Sequence, residues 1–220
     1  MVEGAESLVA LAFGLGLGVA LGRTYGATRA YEGTIPRDGA DAATPRGHRP
    51  GYQQRGELHL AAALRDRFDG PDYHLLNHVT LPLGDGTTQV DHILVSRFGI
   101  VVIETKDWRG WIFGAAMDRT WTQVRGRARD QRQNPLRQNH VHLCAVQAIL
   151  DFLPFEAIRG AVVFTGDAEF RTPVPDGVYM LPTFVAELRA RTTPVMSRNR
   201  MQFCVGRLET ARLAITRETD

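Results

Sequence analysis

The sequence predicts an α/β fold, its elements ordered α, three or four β, α, β, α behind a hydrophobic N-terminal helix. Three observations carry that expectation. Apolar runs over residues 87–96 and 100–107 flank the turn Arg97-Phe98-Gly99, the pattern of a buried hairpin. A segment of helical period, residues 55–68, precedes them. Asn134 and Pro135 resemble an N-cap and a first-turn proline ahead of a helical stretch, and GAVVFT follows as a further buried strand.

At 220 residues and 44% hydrophobic, the chain is long enough for one main domain with an ordinary core. A net charge of +2 does not announce a nucleic-acid protein, but a pI near 8.7 leaves room for a local basic face. Cys144 and Cys204 are far apart and form no C-x-x-C pair. That excludes a disulfide framework and a cysteine zinc site, and points to free thiols in a reducing compartment.

Residues 7–22, SLVALAFGLGLGVALG, form an uncharged run extendable towards the ~20 residues of a membrane helix. Glu3 and Glu6 precede it, and Arg23, Arg29 and Arg37 follow, which is the charge order of an uncleaved anchor rather than a signal peptide. Residues 1–23 are thus expected to be a single-pass anchor that leaves the folded domain in the cytoplasm. Gly14, Gly18 and Gly22 at four-residue spacing share one helix face and suit pairing into a homodimer. Residues 24–53, rich in Gly, Ala, Thr, Pro and Arg without apolar period, read as a flexible linker, and residues 54–220 as the folded domain.

Within that domain the first helix spans 55–68 and stops at Asp69-Gly70-Pro71. Strands follow at 74–83, ended by Gly84-Asp85-Gly86, then at 87–96 and 100–107. Short strands at 111–113 and 121–124 are expected to complete a meander. An arginine-rich connection leads to the second helix, 135 to about 152, then to the strand at 160–165 and a closing helix at 182–191.

Glu104 and Lys106, two apart on a strand, share a face, and Lys106 is the only lysine among 26 basic residues. A hairpin centred near Arg97-Phe98 pairs residues whose numbers sum to about 195, which sets Asp91 opposite Glu104. Two facing carboxylates repel, and a divalent cation such as Mg²⁺ removes the penalty. Lys106, one step along, then orients water or offsets phosphate charge, a task for a compact ammonium rather than a guanidinium. The other reading of this triplet is an ordinary cross-strand charge cluster. His140 and His142, two apart on a helix, diverge, so a histidine zinc site is not expected.

The motifs GE at Gly56-Glu57, QVDHILVSRFGIVVIETKDWRG from Gln89 to Gly110, Trp121, and NPLRQN from Asn134 to Asn139 together resemble the NERD (nuclease-related) domain of the PD-(D/E)XK superfamily. The resemblance covers roughly residues 56–150. It implies a restriction-endonuclease-like αβββαβ core with a mixed central sheet flanked by helices. It further implies that Asp91 and Glu104 hold the metal with the Thr105 carbonyl, that Lys106 serves the attacking water, that Glu57 is an added carboxylate and that Gln138 lines the site. Asp107 replaces an asparagine common in the family. The activity implied is Mg²⁺-dependent phosphodiester hydrolysis, with Mn²⁺ able to substitute and DNA the expected substrate. A nuclease fold kept for binding or recruitment without turnover is the alternative.

Between Asp118 and Gln138 stand Arg119, Arg125, Arg127, Arg129, Arg132 and Arg137 against Asp118 and Asp130. Such a run suits phosphate contacts that are independent of sequence and sensitive to salt. Trp108, Trp111 and Trp121 are expected to pack in the core or at its rim rather than to serve as base-stacking platforms.

Overall fold

A computed structural model describes residues 51–213. The expected anchor, its glycine face and most of the linker lie outside the described residues. Among the described residues no helix is long and apolar enough to cross a membrane.

In chain order, α1 (Gly51–Arg67) leads into β1 (Tyr73–Leu83), β2 (Gly86–Ser96) and β3 (Gly99–Lys106). Next come β4 (Gly110–Phe113), β5 (Thr120–Arg125), β6 (Ala128–Gln133) and α2 (Pro135–Ile149). After a single 3-10 turn the chain forms β7 (Ile158–Phe164), β8 (Ala168–Phe170), β9 (Val178–Met180), α3 (Leu181–Arg189) and α4 (Arg198–Ala211). The fold is mixed α/β, with helices on both faces of a mixed sheet. The folded part starts earlier than expected, since α1 already begins at Gly51.

The main sheet has the order β1-β2-β3-β7-β9. Its first three strands are antiparallel, and β7 and β9 join in parallel. The β2–β3 register is the expected one, with partner numbers summing to 195 from Ser96–Gly99 to His92–Ile103. Every residue of β3 is buried, as suits a central strand covered on both faces.

Strand alternation sorts the core into two layers. Leu60, Leu64 and Phe68 of α1 and Phe184 and Leu188 of α3 pack with Leu94, Val101, Ile103 and Val163 on one face. Ala145 and Val146 of α2 and Met201, Cys204 and Leu208 of α4 pack with Ile93, Val95, Ile100 and Val102 on the other. Each fully buried Leu, Ile or Val contributes roughly 1.5–3 kcal/mol.

Two expectations need correction. Strands β4 and β5 do not extend the main meander; they belong to a second sheet of order β6-β5-β4-β8. The arginine-rich connection is itself a strand, β6, paired with β5 from Thr120–Gln133 to Arg125–Ala128. Its charged, largely exposed side chains suit an edge position, where like composition also reads as loop. A third core of Trp108, Ile112, Trp121, Phe164 and Val178 fills the junction of the two sheets. Trp108 and Trp121 thus pack inside as expected.

Candidate active site

Three connections build the site. The first is the C-terminal half of β3, which carries Glu104, Thr105 and Lys106. The second is β2, which brings Asp91 beside it. The β2–β3 ladder ends at His92–Ile103, and just beyond it the Thr105 N–H donates to Asp91 Oδ2 at 2.7 Å. The side chain thereby takes the place of a backbone carbonyl and is held at the strand end. The third is α2. Asn134 caps it as the sequence predicts, accepting from the Leu136 N–H at 2.9 Å, while its Nδ2 donates to carbonyls of the β4–β5 turn at Ala116 (3.0 Å) and Asp118 (2.8 Å). One turn later Asn139 donates to the carbonyls of Val102 (3.2 Å) and Ala161 (3.1 Å), which pins α2 across β3 and β7. A side chain at Gly160 would meet Asn139 Nδ2 at 2.8 Å, so glycine there permits the close approach.

Glu104 is fully buried. Lys106 Nζ lies 2.5 Å from its Oε1, and His142 Nε2 lies 3.0 Å from its Oε2. Lys106 Nζ also donates to Gln138 Oε1 at 3.0 Å. Behind the imidazole, His142 Nδ1 lies 2.7 Å from Thr88 Oγ1. With Nε2–H on the carboxylate, Nδ1 accepts from the Thr88 hydroxyl, so both ring nitrogens are used. Burial raises the Glu104 pKa, but Lys106 and His142 outweigh it and hold the carboxyl below its ordinary value.

Asp91 is the opposite case. Burial first, then the charges of Glu104 and Glu57, push its carboxyl well above the ordinary range, against the smaller help of the Thr105 N–H and Lys106. Asp91, Glu104 and Lys106 therefore converge as the register implies, and the carboxylates repel. Glu57, buried on α1, reaches the cluster through its charge on Asp91. Gly56 sets its approach, because a Cβ there would meet Thr165 Oγ1 at 2.7 Å and Asp107 Cβ at 2.8 Å.

Sequence reasoning missed two histidines. His142 follows Gln138 by four residues, a spacing that puts both on one helical face and signals the contact. His140, as expected, diverges from it and is exposed. The second is His78, a non-glycine residue at φ 50° between the pairs Asn77–His92 and Val79–Val90. Its Nδ1 lies 3.5 Å from Glu57 Oε2. Nothing in local sequence marks that left-handed backbone, a conformation that costs on the order of 1 kcal/mol and recurs at functional sites. Nearby, burial and then His78 and Arg65 push the fully buried His92 imidazole down to about 4, so it is neutral at physiological pH.

The donor set suits a hard cation. Two oxygen-donating carboxylates whose repulsion a charge would relieve match Mg²⁺, which keeps several waters and needs few protein ligands. Among the described residues no group of three or more His, Cys, Asp or Glu is placed to hold a metal ion together, so any ion here would rest on fewer side chains. The basic residues divide. Arg125, Arg127 and Arg129 are exposed around the β5–β6 turn, whereas Arg132 and Arg137 are half-buried. Asp130 pairs with Arg125 at 2.9 Å and with Arg132 at 3.6 Å.

A mixed α/β domain with buried acids and one lysine at the end of a central strand presents a candidate acid-and-lysine site. The chain belongs to the nuclease-related domain family, whose model matches residues 52–165, from α1 to just past β7. It is similar to an uncharacterised protein of Bacillus anthracis, 34% identical over 106 residues, which are 47% of this chain and 50% of that protein. The matched part is thus about half of that relative's length. No solved structure matches the chain.

Proposed function

We propose that the chain is a metal-dependent nuclease with a restriction-endonuclease-like core, hydrolysing phosphodiester bonds of nucleic acid, with DNA the expected substrate. The observation that carries this reading is Glu104, buried without exposure and held between Lys106 on one oxygen and His142 on the other, beside a second carboxylate whose ionisation burial opposes. Asp91 satisfies the Thr105 N–H at the strand end, but it also sets a second buried negative charge beside Glu104, and a bound cation would offset that charge.

Asp91, Glu104 and the Thr105 carbonyl would hold Mg²⁺ or Mn²⁺, with Glu57 in support. The bound ion supplies Lewis-acid polarisation of the phosphodiester and lowers the pKa of water. Lys106 orients the attacking water and offsets negative charge growing on the phosphate, with Gln138 steering its ammonium. His142 and Thr88 keep Glu104 in one rotamer. Arg125, Arg127 and Arg129 take backbone phosphates, with Arg132 and Arg137 behind them, so affinity falls with salt and carries little sequence preference. The N-terminal segment tethers the enzyme to a membrane, with Gly14, Gly18 and Gly22 available for pairing and the catalytic domain in the cytoplasm.

The test is incubation of the full chain with linear DNA, circular DNA and RNA in Mg²⁺, Mn²⁺ or EDTA. Metal-dependent cutting is expected, with losses of ~10²-fold or more in Lys106→Ala and Asp91→Ala. Equal rates in parent and variants would sink the catalytic claim. A second reading, a nuclease fold that binds without turnover, is favoured by the Lys106–Glu104 ion pair, which already engages one oxygen of the buried carboxylate. Binding without cutting in every metal would select it.

A further inference from the structure

The small sheet has two unlike faces. Ile112 and Trp121 are fully buried on the inner one, against Phe164 and Phe170. The alternate residues of β4, Trp111 and Phe113, stay 45% and 37% exposed. Trp111 opposes Val124, which opposes Arg129, and Phe113 opposes Thr122, which opposes Gln131. The Arg171 guanidinium lies 4.4 Å from the centre of the Trp111 ring. Of the core or rim packing expected of the tryptophans, Trp111 does not take the core position.

We infer that this outer face is a platform for single-stranded nucleic acid, with bases stacked on Trp111 and Phe113 and phosphates taken by the arginines beside them. The inference rests on the nuclease reading and names the strand form delivered to the site. Aromatic rings on an open sheet face, interleaved with amides and arginines, are the chemistry that holds unpaired bases. The two residues that carry the rings are about 6.8 Å apart along the strand. That lets each take its own base, but is twice the ~3.4 Å rise of neighbours in a duplex, whose π-faces are covered anyway.

Charge selects the occupant. Asp130 offsets Arg125 and Glu169 offsets Arg171, whereas Arg127 and Arg129 are exposed with no acidic partner among the described residues. A polyanion complements them; a second copy of the same face would set like charges together. The platform and the site are consecutive along the chain, since β6 runs into Asn134, and Gln138 one turn on accepts from Lys106.

Among the three tryptophans Trp108 and Trp121 are buried, so intrinsic quenching on binding reports Trp111. The full chain in EDTA is titrated with labelled oligo-dT, oligo-U and a DNA duplex, each about 12 nucleotides long, within the ~4–16 that such surfaces cover. We expect quenching by both single strands and at least ~10-fold tighter binding than to duplex. Trp111→Ala with Phe113→Ala should lower single-strand affinity about 10–100-fold, as for loss of stacked bases, and leave duplex affinity unchanged. Trp111→Tyr, which keeps a flat ring, should retain most of it. Equal binding of both strand forms by the parent, or equal loss of both in the double variant, overturns the inference. So does a dimer that dissociates in the double variant without any oligonucleotide quenching. Cutting that persists in Mg²⁺ without single-strand preference defeats this inference alone; single-strand binding without cutting defeats the nuclease reading alone.

Discussion

Asp91→Asn removes a buried negative charge while keeping an oxygen for the Thr105 N–H to bond, so it separates the cost of the charge from the value of the contact. Asp91 is 8% exposed, and burial together with Glu104 and Glu57 raises its folded pKa well above 3.8. The sign follows from linkage. An acid with a raised folded pKa stabilises the fold fully below its unfolded pKa, and that stability is lost as pH rises through the folded value. Each unit of such a rise costs about 1.4 kcal/mol once both states are ionised. At pH 8 in EDTA the variant should therefore be the more stable of the two, with a higher Tm, by roughly 0.5–2 kcal/mol, the usual scale of a single stabilising substitution. Near pH 4 the gain should vanish. The assay is thermal unfolding followed by circular dichroism at both pH values, with and without Mg²⁺. Added Mg²⁺ should raise the Tm of the parent at pH 8 and leave that of the variant unmoved. A variant less stable than the parent at pH 8 in EDTA, or a gain that persists unchanged near pH 4, would refute the reasoning.

His142→Ala strips partners from a buried carboxylate oxygen and a hydroxyl at once, and urea unfolding should show a loss of about 2–3 kcal/mol. His142→Gln, able to keep one of the two hydrogen bonds, should recover part of that loss and part of any Mg²⁺-dependent activity. Gly56→Ala places a methyl within 3 Å of Thr165 and Asp107, so α1 must shift; a cost of about 1–3 kcal/mol and weaker Mg²⁺ binding by calorimetry are expected. In binding assays, Arg127→Ala with Arg129→Ala should flatten the salt dependence of log affinity by about 1–2, in proportion to the phosphates no longer neutralised.

The hairpin β2–β3 was legible because both strands are apolar runs around one tight turn, and period two then determines which side chains share a face. From that alone the register, Asp91 beside Glu104, and Lys106 one step along could be read. Asn134 was legible for a similar reason: a cap is a local bond, written within three residues. The helix α4 was equally readable, since Ser197 caps it and Met201, Cys204, Val205 and Leu208 recur at helical spacing. It was missed because its mean composition is polar.

Strands β6, β8 and β9 are different. ARDQRQ has no apolar alternation, and AEF and VYM are three residues each, so none carries a periodic signal. They are strands because β5, β4 and β7 offer unpaired backbone groups beside them.

By itself, then, the sequence determined what depends on neighbours along the chain: the family, the central hairpin, the acid and lysine on one face, the cap of α2. The tertiary structure alone decided what depends on neighbours in space. It brought His142 from α2 and His78 from β1 onto the acids. It split the expected meander into two sheets and turned Trp111 outward while Trp121 went inward. Periodicity records which side of an element a residue takes; which other element, if any, covers that side is settled by packing, and packing is a property of the whole chain.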